Sequence, residues 1–110
     1  MFDLFSYDRI MVDEEVTRKR GDMTRDVAEH VLSGIGLRAV RQRSEFPAVF
    51  AAGGYDSAGR LIEIACMILA DGTLRIFHMM KMKRKIAEEL DLLSEWEASY
   101  GHRPQRRKRY

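Results

Sequence analysis

A single cysteine, Cys66, in 110 residues rules out an intrachain disulfide, and its place inside an apolar run suggests a buried thiol in a reducing compartment. No apolar stretch approaches the ~20 residues of a membrane span, and no signal-peptide pattern opens the chain. A cytoplasmic protein with no membrane contact is therefore expected. There is no phosphate-binding G-x-x-x-x-G-K-[ST] loop, and Gly34-Ile35-Gly36 does not precede a helix in dinucleotide-binding style. His30, His78, His102 and Cys66 are too scattered to argue for zinc, and no Ser or Cys nucleophile has a motif around it. No metal and no cofactor is expected. Charge of one sign is also missing: the net charge is only +2. That balance hides a basic terminal stretch, GHRPQRRKRY, which carries five of the 19 basic residues and leaves 14 against 17 acidic ones elsewhere. Residues 101–110 read as a mobile tail that can hold nucleic acid through its phosphates, or dock an acidic partner, while 1–100 read as one domain.

What is present is concentrated in Arg60 to Met80, RLIEIACMILADGTLRIFHMM, the most apolar part of the chain. Two apolar runs flank Asp71-Gly72, a pair that favours the positive φ angles of a two-residue hairpin turn. With the turn there, Leu69 faces Leu74, Met67 faces Ile76, Ala65 faces His78 and Glu63 faces Met80. The other face carries Ile62, Ile64, Cys66 and Ile68 with Arg75, Phe77 and Met79. Both faces are largely apolar, so the hairpin belongs in the middle of a sheet. Glu63 and His78 interrupt the first face near its open end, diagonally across the ladder and within reach of each other.

Around this hairpin the chain alternates between helical and extended signals. Residues 1–12 are apolar without a clean period and fit a short strand or an irregular lead-in. Asp13 offers an N-cap, with Glu14 and Glu15 in the first turn of a helix, Arg18, Lys19 and Arg20 in the last, and Gly21 to stop it. Thr24 and Asp26 start a second helix that ends at Gly34. A strand follows near Leu37 to Arg43, its arginines toward solvent or a ligand. Pro47 introduces another strand, AVFAAGGY, and Asp56-Ser57-Ala58-Gly59 makes a turn into the central hairpin. After Met80 the positions Met82, Ile86, Leu90, Leu93, Trp96 or Glu97, and Tyr100 step by four and three, as in an amphipathic helix. Lys81, Lys83, Arg84 and Lys85 crowd its start, where positive charge opposes the helix dipole; such local conflicts are commoner at functional sites. The expected class is α+β: an antiparallel meander of about four strands, preceded by a short helix pair and followed by a C-terminal amphipathic helix.

The helix pair DEEVTRKRGDMTRDVAEHVLSG, then GYDSAGRLIEI and DGTLRIFHMMKMK, then a charged helix, resembles the BrnT-like branch of the RelE/ParE superfamily, the toxin half of bacterial type II toxin–antitoxin pairs. The likeness spans roughly residues 8 to 90 and lies in element order and turn chemistry. It implies a metal-independent ribonuclease that inhibits translation by making the RNA's own 2′-hydroxyl attack the adjacent phosphate. It also implies neutralisation by a cognate DNA-binding antitoxin, with a homodimer or a toxin–antitoxin hetero-oligomer as the assembly. One departure matters. BrnT-like toxins often end the last strand with Ser-Ala-Arg, and here that place is taken by His78-Met79-Met80, so the basic duty shifts to Lys81, Lys83 or Arg84.

RNA cleavage at neutral pH needs a base, an acid and cations for the phosphorane. The candidates are His78 and Glu63 for proton transfer and Arg75 for charge stabilisation, with Lys81, Lys83, Arg84 and Arg60 holding the nucleic acid. Each also has a plain structural reading, since a strand histidine is more often a packing residue and a lysine run a solvated helix start. The competing class is a non-enzymatic α+β module that holds a protein or nucleic acid through its sheet face and basic tail.

Overall fold

In a computed structural model of the protein, residues 7–101 are described; the first residues of the apolar lead-in and the basic stretch 102–110 lie outside them. In chain order the elements are β1 (Arg9–Val12), α1 (Glu14–Lys19), α2 (Arg25–Val31), β2 (Leu37–Glu45), β3 (Ala48–Tyr55), β4 (Leu61–Ile68), β5 (Thr73–Lys81), α3 (Arg84–Glu89) and α4 (Leu93–Trp96), with a closing π-helical turn over Glu97–Gly101. This is the α+β class. The four strands β2 to β5 form the expected antiparallel meander. The sheet nevertheless has five strands, in the order β1-β5-β4-β3-β2, because β1 adds itself parallel to β5. Its partner, Thr73–Ile76, lies more than sixty residues along the chain, too far for a local pattern to show the pairing.

The central hairpin keeps its register at the open end and loses it at the turn. Glu63 pairs with Met80 and Ala65 with His78, as expected, whereas Met67 pairs with Arg75 and Ile68 with Leu74. Leu69 N–H donates to the Thr73 carbonyl at 2.8 Å, so three residues close the loop, with Gly72 alone at positive φ (88°). A two-residue type I′ turn would need Asp71 at positive φ as well; the three-residue loop asks it only of a glycine. The extra loop residue is offset by a bulge in β5: the ladder steps from Ala65–His78 to Cys66–Ile76 and leaves Phe77 unpaired. Leu74 and Ile76 therefore change faces and join Ile62, Ile64 and Cys66 in the core.

That core lies under α1 and α2 and includes Val16, Met23, Ala28, Val31 and Leu32. Thr24 caps α2 by accepting from Val27 N–H at 3.4 Å. Asp13 precedes α1 as expected, but its carboxylate makes no cap bond. Burial pushes the Cys66 thiol up to about 12, consistent with an inert core cysteine.

The opposite face carries a smaller core of Ala51, Leu61, Met82, Ala87, Leu90 and Leu92. The C-terminal helix is not continuous: it breaks at Asp91, which takes φ 60°. On one straight helix Leu90 and Leu92 would point roughly 200° apart at 100° per residue. The left-handed residue between them lets both reach Gly53 on the sheet. The segment is pinned further on, where Trp96 Nε1 donates to the Met82 carbonyl (2.9 Å) and the Tyr100 hydroxyl to the Leu61 carbonyl (2.7 Å). None of the described helices is long and apolar enough to cross a membrane.

Candidate functional site

Glu63 sits on the central strand with its side chain only 3% exposed. A buried carboxylate needs partners, and this one accepts three hydrogen bonds. His78 Nε2 lies 2.6 Å from Oε2, Lys83 Nζ 2.6 Å from the same oxygen, and Lys83 N–H 2.8 Å from Oε1. Burial alone would raise the Glu63 pKa, but the bonds from His78 and Lys83 together outweigh it and hold the group below its ordinary value. The carboxylate is thus ionised at neutral pH and can only accept, so the proton of a neutral His78 belongs on Nε2. Nδ1 then carries the lone pair, and it has no hydrogen-bond partner among the described residues. The imidazole is 38% exposed.

The same geometry explains the basic run at the start of α3. The first turn of that helix contains no acidic residue. Glu63 supplies the missing negative charge from the sheet, bonding both the backbone and the ammonium of Lys83 just before the helix begins. The carboxylate thereby ties β4 to the helix entry while it orients His78.

His78 and Glu63 line a groove of about 330 Å³ on this face, closed on one side by α3. Lys85 and Phe77 also border it. Lys85 is exposed and makes no ion pair among the described residues. The far wall is held by Arg43, which grips Glu89 of α3 with two hydrogen bonds of 2.9 and 2.6 Å. That contact lowers the Glu89 pKa against the opposing effect of burial.

The structure brings together Glu63, His78 and Lys83 and places the other candidates elsewhere. Arg75 is committed to Asp13 through two bonds of 2.9 and 2.8 Å, and the Asp13 pKa falls accordingly. It is not among the residues bordering the groove. Arg60 is shared between buried Asp56 (2.7 Å) and Asp22 (2.8 Å), which anchors the β3–β4 turn rather than leaving a free cation. Lys81 pairs across the ladder with Ile62, whose side chain lies in the helix-side core, so it belongs to the face away from Glu63. Arg84 is exposed and reaches Glu88 on its own helix at 3.3 Å. Three bordering side chains were given no individual role from the sequence, although the basic run and the arginines of β2 were noted as groups. Lys85 is hidden in a run of four cations, Arg43 in an arginine-rich strand, and Phe77 owes its position to a bulge with no local signal.

Comparison of the chain with protein-family models, with curated proteins and with solved structures finds no match.

Proposed function

We propose that the chain is a metal-independent endoribonuclease, the toxin component of a toxin–antitoxin pair, with His78 as its proton-transfer group and Glu63 as the residue that positions it. One observation carries the reading: a buried, ionised glutamate 2.6 Å from a half-exposed histidine whose second nitrogen has no partner among the described residues, in a groove bordered by Lys83 and Lys85. Buried carboxylate, histidine and open nitrogen are the parts of an activated base. His78 Nδ1 takes the proton of an RNA 2′-hydroxyl as O2′ bonds to the adjacent phosphorus. The P–O5′ bond then breaks, and the departing oxygen takes a proton from the imidazolium or from water. Lys85, which pairs with no carboxylate among the described residues, stabilises the charge on the phosphorane. The products are a 2′,3′-cyclic phosphate and a free 5′-hydroxyl. The toxin assignment, and with it a DNA-binding antitoxin as partner, rests on the resemblance in element order described above.

Purified protein incubated with total RNA in excess chelator should generate cyclic-phosphate ends. His78→Ala should lower that rate by ~10²–10⁴ while the fold is kept, and the wild type should arrest growth unless the antitoxin is co-expressed. Intact RNA and normal growth overturn the reading.

A second reading is favoured by a different observation, the three hydrogen bonds that already occupy Glu63. In it the triad is a structural tie between sheet and helix, and the groove is the contact surface of a binding module. His78→Ala would then change stability or affinity, with no cleavage to lose.

A further inference from the structure

We infer that the RNA-binding surface does not end at the groove. It continues over the outer edge of β5 onto the end of α1, with Phe77 as a stacking platform at the crossing and Lys19 and Arg20 as phosphate contacts beyond it. The inference deepens the ribonuclease reading and rests on it for the identity of the strand as RNA. β1 covers β5 only as far as Ile76, so from Phe77 onward the strand edge faces α1. There a second depression of about 170 Å³ opens, bordered by Lys19 and Arg20. Phe77 and His78 border both depressions, which makes them two ends of one surface. The bulge that leaves Phe77 unpaired also keeps it out of either core, 37% exposed beside the proposed base.

The charges along this path suit a polyanion. Lys19 and Arg20 make no ion pair among the described residues, nor does Lys85 at the other end. The acid bordering the second depression, Glu15, is neutralised by Arg18 at 2.7 Å. Lys83 is spent on Glu63. Unpaired cations thus stand on both sides of an exposed aromatic ring, the arrangement that holds a single strand by phosphate contacts and base stacking. A duplex would present no free base face to Phe77.

The test measures binding of fluorescent RNA made uncleavable by 2′-O-methylation, so that it does not depend on turnover. Wild type should prefer a strand of about six nucleotides to one of about two, within the range of single-strand sites. Lys19→Ala/Arg20→Ala should erase most of that preference and flatten the salt dependence by about 0.7 per lost phosphate contact. Phe77→Leu should weaken binding roughly tenfold, and Phe77→Tyr should restore it. Circular dichroism checks each fold; if Phe77→Leu unfolds, the double variant and Phe77→Tyr still decide. Should the enzyme cleave RNA while these variants bind the longer strand as the wild type does, the extended surface is wrong and the catalytic reading stands. Duplex RNA bound as tightly as single strands also overturns it. Failure of the wild type to bind either strand removes both.

Discussion

Gly53 and Gly54 are neighbours on β3 that point to opposite faces of the sheet, and what each one meets separates the two halves of the molecule. A Cβ at Gly54 would come within 2.6 Å of the Gly36 carbonyl oxygen and 2.7 Å of that of Val31, both main-chain atoms at the end of α2 and the start of β2. A Cβ at Gly53 would meet the Met82 methyl at 2.6 Å and the Leu90 and Leu92 methyls at 3.0 Å, the flexible ends of side chains. At Gly54 the sheet lies directly against main chain, where the end of α2 passes into β2. The groove face is closed only in part, by side-chain tips and ion pairs. A region that must bind something needs adjustable walls, and the groove beside Glu63 and His78 has them.

The largest effect expected is on the helix side. Gly54→Ala should cost ~3 kcal/mol, because main-chain atoms cannot step aside as side chains do. Chemical denaturation would measure it, and a cost no greater than that of Gly53→Ala would erase the contrast between the faces. Next comes Glu63→Gln, which keeps the shape and removes the charge that three donors share; ~2 kcal/mol should be lost near neutral pH. The folded-state pKa of Glu63 is depressed, so its contribution is fully present above the ordinary glutamate value of 4.5 and disappears as pH falls through the lower folded value. The gap between wild type and Glu63→Gln in acid unfolding should therefore close as pH drops below that range. A gap independent of pH would show that the charge contributes little. Gly53→Ala should cost only ~1 kcal/mol, since Met82, Leu90 and Leu92 can give way. Smallest of all, Lys85→Ala should leave the melting temperature almost unchanged, within ~0.5 kcal/mol. If the groove binds RNA, the same variant should lose affinity, and a folding defect without a binding defect would place Lys85 in the structural half instead.

The basic run before α3 shows how far spacing alone can be trusted. Four cations, Lys81, Lys83, Arg84 and Lys85, stand almost consecutively, yet only Lys83 bonds Glu63 and only Lys83 and Lys85 border the groove. The division follows from the direction in which β5 hands over to α3, which sends adjacent side chains to different sides. Arg60 and Arg75 were legible as cations but not as paired ones, because Asp22, Asp56 and Asp13 reach them only through the fold.

Alternation of apolar residues, the Asp-Gly pair and the capping residue Thr24 were enough to locate β2 to β5 and the helix pair, since these depend on neighbours a few residues apart. They were also enough to place Glu63 beside His78, though with help from two features that cancel: a three-residue loop where two residues were expected, and the Phe77 bulge that restores the register. The parallel addition of β1, the break at Asp91 and the use of Glu63 to satisfy the start of α3 were decided by tertiary structure alone. Each satisfies a group whose partner lies far along the chain. The open edge of β5 takes a strand from the chain's beginning, and two leucines must reach one glycine on the sheet. A helix entry without acids of its own finds a carboxylate on the central strand, and only the folded chain brings such groups within a few ångströms of each other.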